Sequence, residues 1–86
     1  MDVFPKPLKV KVLYKNNLQK ITGVGEENII VSEGMNFITL LHMIFTSYPE
    51  IPERYPPGTL ELEINGHAPT EGEFLKEGSV LRLEDC

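Results

Sequence analysis

Three stretches of this chain alternate apolar and polar residues with a period of two, and that pattern limits the fold more than any other feature. In "LKVKVLY" (8–14), Leu8, Val10, Val12 and Tyr14 fall on one face, and Lys9, Lys11 and Leu13 on the other. In "TLELEING" (59–66), Leu60, Leu62 and Ile64 oppose Glu61 and Glu63. The final run opens at Gly78, with Leu81 and Leu83 opposing Val80, Arg82 and Glu84. Side chains of a strand point alternately to its two faces, so each stretch predicts a strand with one buried and one open side. "NIIVSE" (28–33) is short and β-branched, and reads as the partner of the first strand in a hairpin with a wide loop over 15–27.

The intervening stretch "NFITLLHMIFTSYPEI" has a different period. Phe37, Leu40, Leu41, Ile44 and Tyr48 recur at helical spacing, and Asn36 is placed to cap the first turn. This predicts one helix over 36–47, stopped by Pro49. The proline-rich stretch 49–58 reads as an irregular connection, and Asn65-Gly66 as a left-handed turn. The stretch 67–78 reads as a short strand plus turns, with Phe74 and Leu75 as plugs for the core. Strand, strand, helix, strand, short strand, strand is the order of an α+β fold of two layers, a mixed sheet of 4–5 strands packed on one helix.

With 86 residues the chain suits a single domain over 1–86, with a lead-in at 1–7 carrying Pro5 and Pro7 and a short tail at 84–86. A domain of this size hides only ~60–65% of its unfolded surface, so most of its apolar residues must go into one small core. Eight Lys and Arg against thirteen Asp and Glu give a net charge of −5, which argues against a phosphate backbone as partner. There is no apolar run of ~18 residues to cross a membrane, and no basic-then-apolar leader, so a cytoplasmic protein is expected. A single cysteine allows no internal disulfide, which fits a reducing compartment.

Chemistry-bearing residues are sparse. Reactive thiols need cationic neighbours, whereas Cys86 follows Glu84 and Asp85 and carries the terminal carboxylate, which disfavours its thiolate. An incidental tail cysteine is the plain reading, and a redox thiol the alternative. His42 and His67 do not form a converging ligand set, so no metal is expected. No nucleophile–base arrangement is apparent, "GVGE" (23–26) lacks the third glycine and the helix of a dinucleotide loop, and neither catalytic residues nor a cofactor are expected.

Taken together, "LKVKVLYKNNLQKITG", "NFITLLHMIFTSYPEI" and "LELEINGHAPTEGEFLKEGSVLRL" resemble the ubiquitin-like β-grasp superfamily. The nearer resemblance is to its sulfur-carrier branch, the molybdopterin synthase small subunit and the thiamin-pathway sulfur carrier. Ile64-Asn65-Gly66 and Leu75-Lys76-Glu77-Gly78 carry the most specific part of it, and it spans about residues 8–83. The resemblance implies that the first strand lies beside the last and the last beside the third. Lys9, Lys11 and Leu13, then Val80 and Arg82, then Glu61 and Glu63 would form neighbouring rows on the open sheet face, a candidate docking surface for another protein.

In that branch the last strand feeds a tail ending in Gly-Gly, whose carboxylate a partner enzyme adenylates. Glycines suit such a tail because, lacking Cβ, they thread a narrow site and take torsions other residues avoid. Glu84, Asp85 and Cys86 stand near that place here. The resemblance therefore implies a non-catalytic protein-binding module without the activatable tail. The alternative it leaves is a sulfur carrier with an atypical C-terminus, partnered by an adenylating enzyme or a synthase large subunit. A small redox protein using Cys86 is the reading from another class.

Overall fold

The structure is a computed structural model that describes residues 6–56, 58–70 and 72–85. Residues 1–5 of the expected lead-in, and Cys86, lie outside the described residues. Four strands form one mixed sheet: β1 (Pro7–Tyr14), β2 (Glu26–Ser32), β3 (Leu60–Ile64) and β4 (Val80–Asp85), in the spatial order β2-β1-β4-β3. β1 pairs antiparallel with β2 and parallel with β4, and β3 pairs antiparallel with β4. The last strand of the chain is thus an inner strand, held on both edges.

The alternation fixes which side of the sheet is covered. Val10, Val12, Tyr14, Ile64, Leu81 and Leu83 are all at most 2% exposed and form the sheet's share of the core. Helix α2 (Phe37–Ser47) lays Phe37, Leu40 and Ile44 on them. Its start is where the sequence predicts it, with Asn36 Oδ1 accepting from Thr39 N–H at 2.9 Å.

Two further helices replace expected irregular segments. α1 (Asn17–Thr22) lies inside the polar stretch read as a loop. Asn16, at φ 55°, turns the chain into it, and Gly23, at φ 81°, ends it while donating to Gln19 O at 2.9 Å. Only Leu18 of α1 is buried, too little apolar content to give the sequence a helical period. α3 (Glu50–Arg54) follows Pro49, whose φ of −63° is already helical. Pro52 sits in its first turn, where backbone N–H groups have no intrahelical acceptor, so the proline removes nothing. Ile51, fully buried, ties α3 to the core.

Two more expectations need correction. The stretch 67–78 forms isolated bridges, Ile64 with His67 and Asn36 with Phe74, and no strand among its described residues. Phe74 is 62% exposed and plugs nothing, whereas Leu75 is buried as expected. Phe37 N–H donates to Glu73 O (3.0 Å) and Leu75 N–H to Met35 O (2.8 Å), and this pairing turns Leu75 inward and Phe74 out. Glu84 and Asp85 are not a tail. β4 continues through Asp85, pairing Glu84 with Glu61 and Asp85 with Leu60.

Candidate docking face

The side of the sheet away from the core is where the predicted site residues come together. Along β1, Lys9, Lys11 and Leu13 share it. Lys11 lies opposite Val80 and Leu13 opposite Arg82 on β4, and Arg82 lies opposite Glu63 on β3. The three rows inferred from the resemblance are therefore neighbours in this structure. The β2 partners of Lys9, Lys11 and Leu13 are Ile30, Asn28 and Glu26, and they extend the face by a fourth row. Sequence reasoning missed that row because it began the strand at Asn28. Starting at Glu26 would have revealed a second alternation, with Glu26, Asn28 and Ile30 open.

Arg82 is the centre of the face. Its Nε and Nη2 donate to Glu63 Oε1 at 3.0 and 2.8 Å, and its Nη1 donates to Glu84 Oε1 at 2.6 Å. One guanidinium so bridges two carboxylates that would otherwise repel across and along the strands, a role its planar fork suits better than a lysine would. Lys11 Nζ stands 3.5 Å from Glu26 Oε2 at the other side of the face. Lys9 and Glu61 are exposed and make no ion pair among the described residues. Between the charges, Leu13 and Val80 are half-buried, and Ile30 is 58% exposed.

The ends of β4 are pinned. Asn65 Oδ1 accepts from Val80 N–H at 2.9 Å, made possible by the left-handed backbone of Asn65 (φ 52°) that the Asn-Gly pair predicts. At the far end, Lys15 N–H donates to Leu83 O (3.0 Å), Asn16 Nδ2 to Glu84 Oε2 (3.2 Å) and Asn17 Nδ2 to Asp85 Oδ2 (2.8 Å). The bond from Asn17 is the main cause that holds the Asp85 carboxyl below its ordinary range. Asn16 and Asn17 went unnoticed because their partners lie 68 residues away in sequence.

On the opposite side of the sheet, Tyr14 OH donates to Glu27 Oε1 at 2.8 Å, and the Tyr48 hydroxyl lies 3.4 Å from the same oxygen. The two rings meet edge to face at 5.8 Å. Burial first, and then Glu27, push the Tyr14 phenol far above its ordinary value. His67 and His42 are apart in the fold, and among the described residues no three His, Cys, Asp or Glu side chains are grouped to hold a metal ion. No described helix is long and apolar enough to cross a membrane.

This sheet order and the helix packed on it are the ubiquitin-like β-grasp, an α+β fold. Several solved structures share this fold. A Pyrococcus furiosus protein provisionally assigned as molybdopterin converting factor subunit 1 superposes with a TM-score of 0.82 at 26% identity, over 91% of this chain and 97% of that one. Small archaeal modifier protein 1 of Haloferax volcanii gives 0.78 at 17% identity, covering 91% and 97%. The protein of the same name from Methanosarcina acetivorans gives 0.73 at 20%, covering 93% and 94%. No protein-family model matches the sequence. No curated protein matches it significantly.

Proposed function

We propose that this β-grasp domain works by binding, docking its open sheet face on a partner protein without catalysing a reaction of its own. The observation that supports this reading most is Arg82 locked between Glu63 and Glu84 beside Leu13 and Val80. A side chain immobilised before binding loses little further entropy on complex formation. The surface thus combines fixed charge, which selects a partner, with apolar area, which holds it. Lys9 and Glu61 toward its rim, and Lys11 beside Val80, would steer the encounter more than they would hold the complex. The chain's net charge of −5 favours a basic partner surface.

The test is capture from native extract of the source cells, comparing the unaltered chain with an Arg82→Glu, Val80→Asp double variant and with Thr39→Lys on the helix side. The reading requires that the sheet variant lose a specific partner that Thr39→Lys retains, with both variants melting cooperatively. Equal capture by all three would overturn it.

A sulfur-carrier role is the second reading, favoured by the 26% identity to the Pyrococcus furiosus protein over nearly the whole length of both chains. Its partners would be an adenylating enzyme and a synthase large subunit. In that reading the end of β4 must leave Asn16 and Asn17 to enter an active site. Incubation with the host's adenylating enzyme, ATP and a sulfur donor, followed by intact mass, decides it. Replacement of one terminal oxygen by sulfur supports the carrier, and an unchanged mass removes it.

A further inference from the structure

The outer edge of β3 carries a second feature, which shares Glu61 with the open face. Asn65 N–H donates to Val80 O at 2.9 Å, so Asn65, and with it Glu63 and Glu61, turn their backbone groups toward β4. Ile64 turns the other way. Its N–H donates to His67 O at 2.8 Å, and its carbonyl accepts from His67 N–H at 3.1 Å. Successive strand residues direct their backbone groups to opposite edges, so Leu62 and Leu60 share the direction of Ile64. No described residue hydrogen-bonds to them on that edge.

Beside this open edge lies an apolar groove of about 440 Å³, lined by Leu41 and Phe45 of α2, Pro52 of α3, Tyr55, and Leu60 and Leu62 themselves. The residues whose backbone is open at the edge are thus the ones whose side chains floor the groove. An unguarded edge next to an apolar trough suits an added strand, in which main-chain bonds supply affinity and every second side chain finds a pocket.

Charge decides which strand. Glu61 lies between Leu60 and Leu62, exposed, with Glu84 rather than a cation as its cross-strand partner. A residue added opposite Glu61 on the open face meets an unneutralised carboxylate, so Lys or Arg is favoured there and Glu or Asp disfavoured. A second copy of this chain is a poor occupant. Pairing β3 with β3 would set Glu61 and Glu63 of both chains against each other, between molecules of net charge −5 each.

We propose that the β3 edge accepts an extended partner segment alternating apolar and basic residues, with the apolar ones in the Leu41–Phe45–Leu62 groove and a basic one opposite Glu61. The probe is an acetylated, amidated peptide, Gly-Val-Lys-Val-Lys-Val-Gly, titrated into the ¹⁵N-labelled full chain. The largest amide shifts should fall at Leu60 and Leu62. The same peptide with glutamates for lysines should bind about five- to tenfold more weakly, and one N-methylated at the alternate amides that face β3 should not bind. A Glu61→Lys variant should reverse the preference between the lysine and glutamate peptides. Because Glu61 is exposed, this variant should keep its fold, which the unshifted amides of β1 will show. Shifts confined to β2 or to the open face, equal affinity for both peptides, absence of binding at millimolar peptide, or shifts at Leu60 and Leu62 that track protein concentration alone would each overturn the proposal.

Discussion

Arg82 reaches from β4 to Glu63 on β3, with Nε and Nη2 within 3.0 Å of the same carboxylate oxygen. The pair joins inner strand β4 to edge strand β3, and Glu84 completes it from the other side of the guanidinium. Both partners of the pair are about one-third exposed, so its contribution to stability is modest and its contribution to shape larger. Arg82→Glu would gather three carboxylates in one place. The expected loss is about 1 kcal/mol, a fall in Tm of about 4–8 °C for a domain of this size. Calorimetry checks this. A much larger loss would mean that the pair holds the fold together and is not merely a surface feature.

Leu81 marks the register. It is 1% exposed and lies between Val12 and Ile64 on the two neighbouring strands. Leu81→Asp puts an unpaired charge into a small core and should abolish cooperative unfolding. Leu81→Ala should leave the fold but lower its stability by about 2–5 kcal/mol. Chemical denaturation of both variants is the measurement, and a near-native melt for Leu81→Asp would show that β4 is not in this register.

Tyr14 should report on alkaline unfolding. Its raised phenol favours the protonated form in the folded state. The stability this supplies is complete below pH 10, the ordinary tyrosine value, and is lost progressively as pH rises above it. In a spectrophotometric titration, Tyr14 should therefore ionise only as the chain unfolds. Tyr14→Phe removes the bond to Glu27 and should cost about 1–2 kcal/mol at neutral pH.

Asp85 gives the opposite dependence. Its carboxyl is held low by Asn17, so its stabilisation is present above the unfolded value of 3.8 and is lost as pH falls through the folded value. Glu73, held low chiefly by the backbone N–H of Thr70, behaves in the same way from 4.5 downward. In Asn17→Ala the Asp85 carboxyl should move up toward its ordinary range, read by carbon-detected NMR titration, while Glu73 stays where it is. An unmoved Asp85 would mean that the Asn17 bond is not formed in solution.

The sequence revealed elements wherever burial was periodic. Val10, Val12 and Tyr14, then Leu81 and Leu83, are buried at every second position. Phe37, Leu40 and Ile44 are buried at helical spacing. The open face followed from the same alternation once the strand order was known. What escaped was held by other means. α1 buries only Leu18 and is fixed by Asn16 and Gly23, both at positive φ. α3 hides behind prolines that fit a first turn. Phe74 is as apolar as any core residue, and only its bridge to Asn36 turns it outward. The end of the chain misled most, because the charges of Glu84 and Asp85 suggested solvent, whereas Arg82, Asn16 and Asn17 take up those charges within the fold.

The central claim is that the open sheet face meets a partner protein, and a site-specific photo-crosslinker tests it most directly. Placed at Val80 in living cells, it should yield a discrete crosslinked protein, and the yield should fall when Arg82→Glu is added. Placed at exposed His42 on α2, it should not capture that protein. Crosslinks from His42 with none from Val80, or a Val80 product indifferent to Arg82→Glu, would contradict the account.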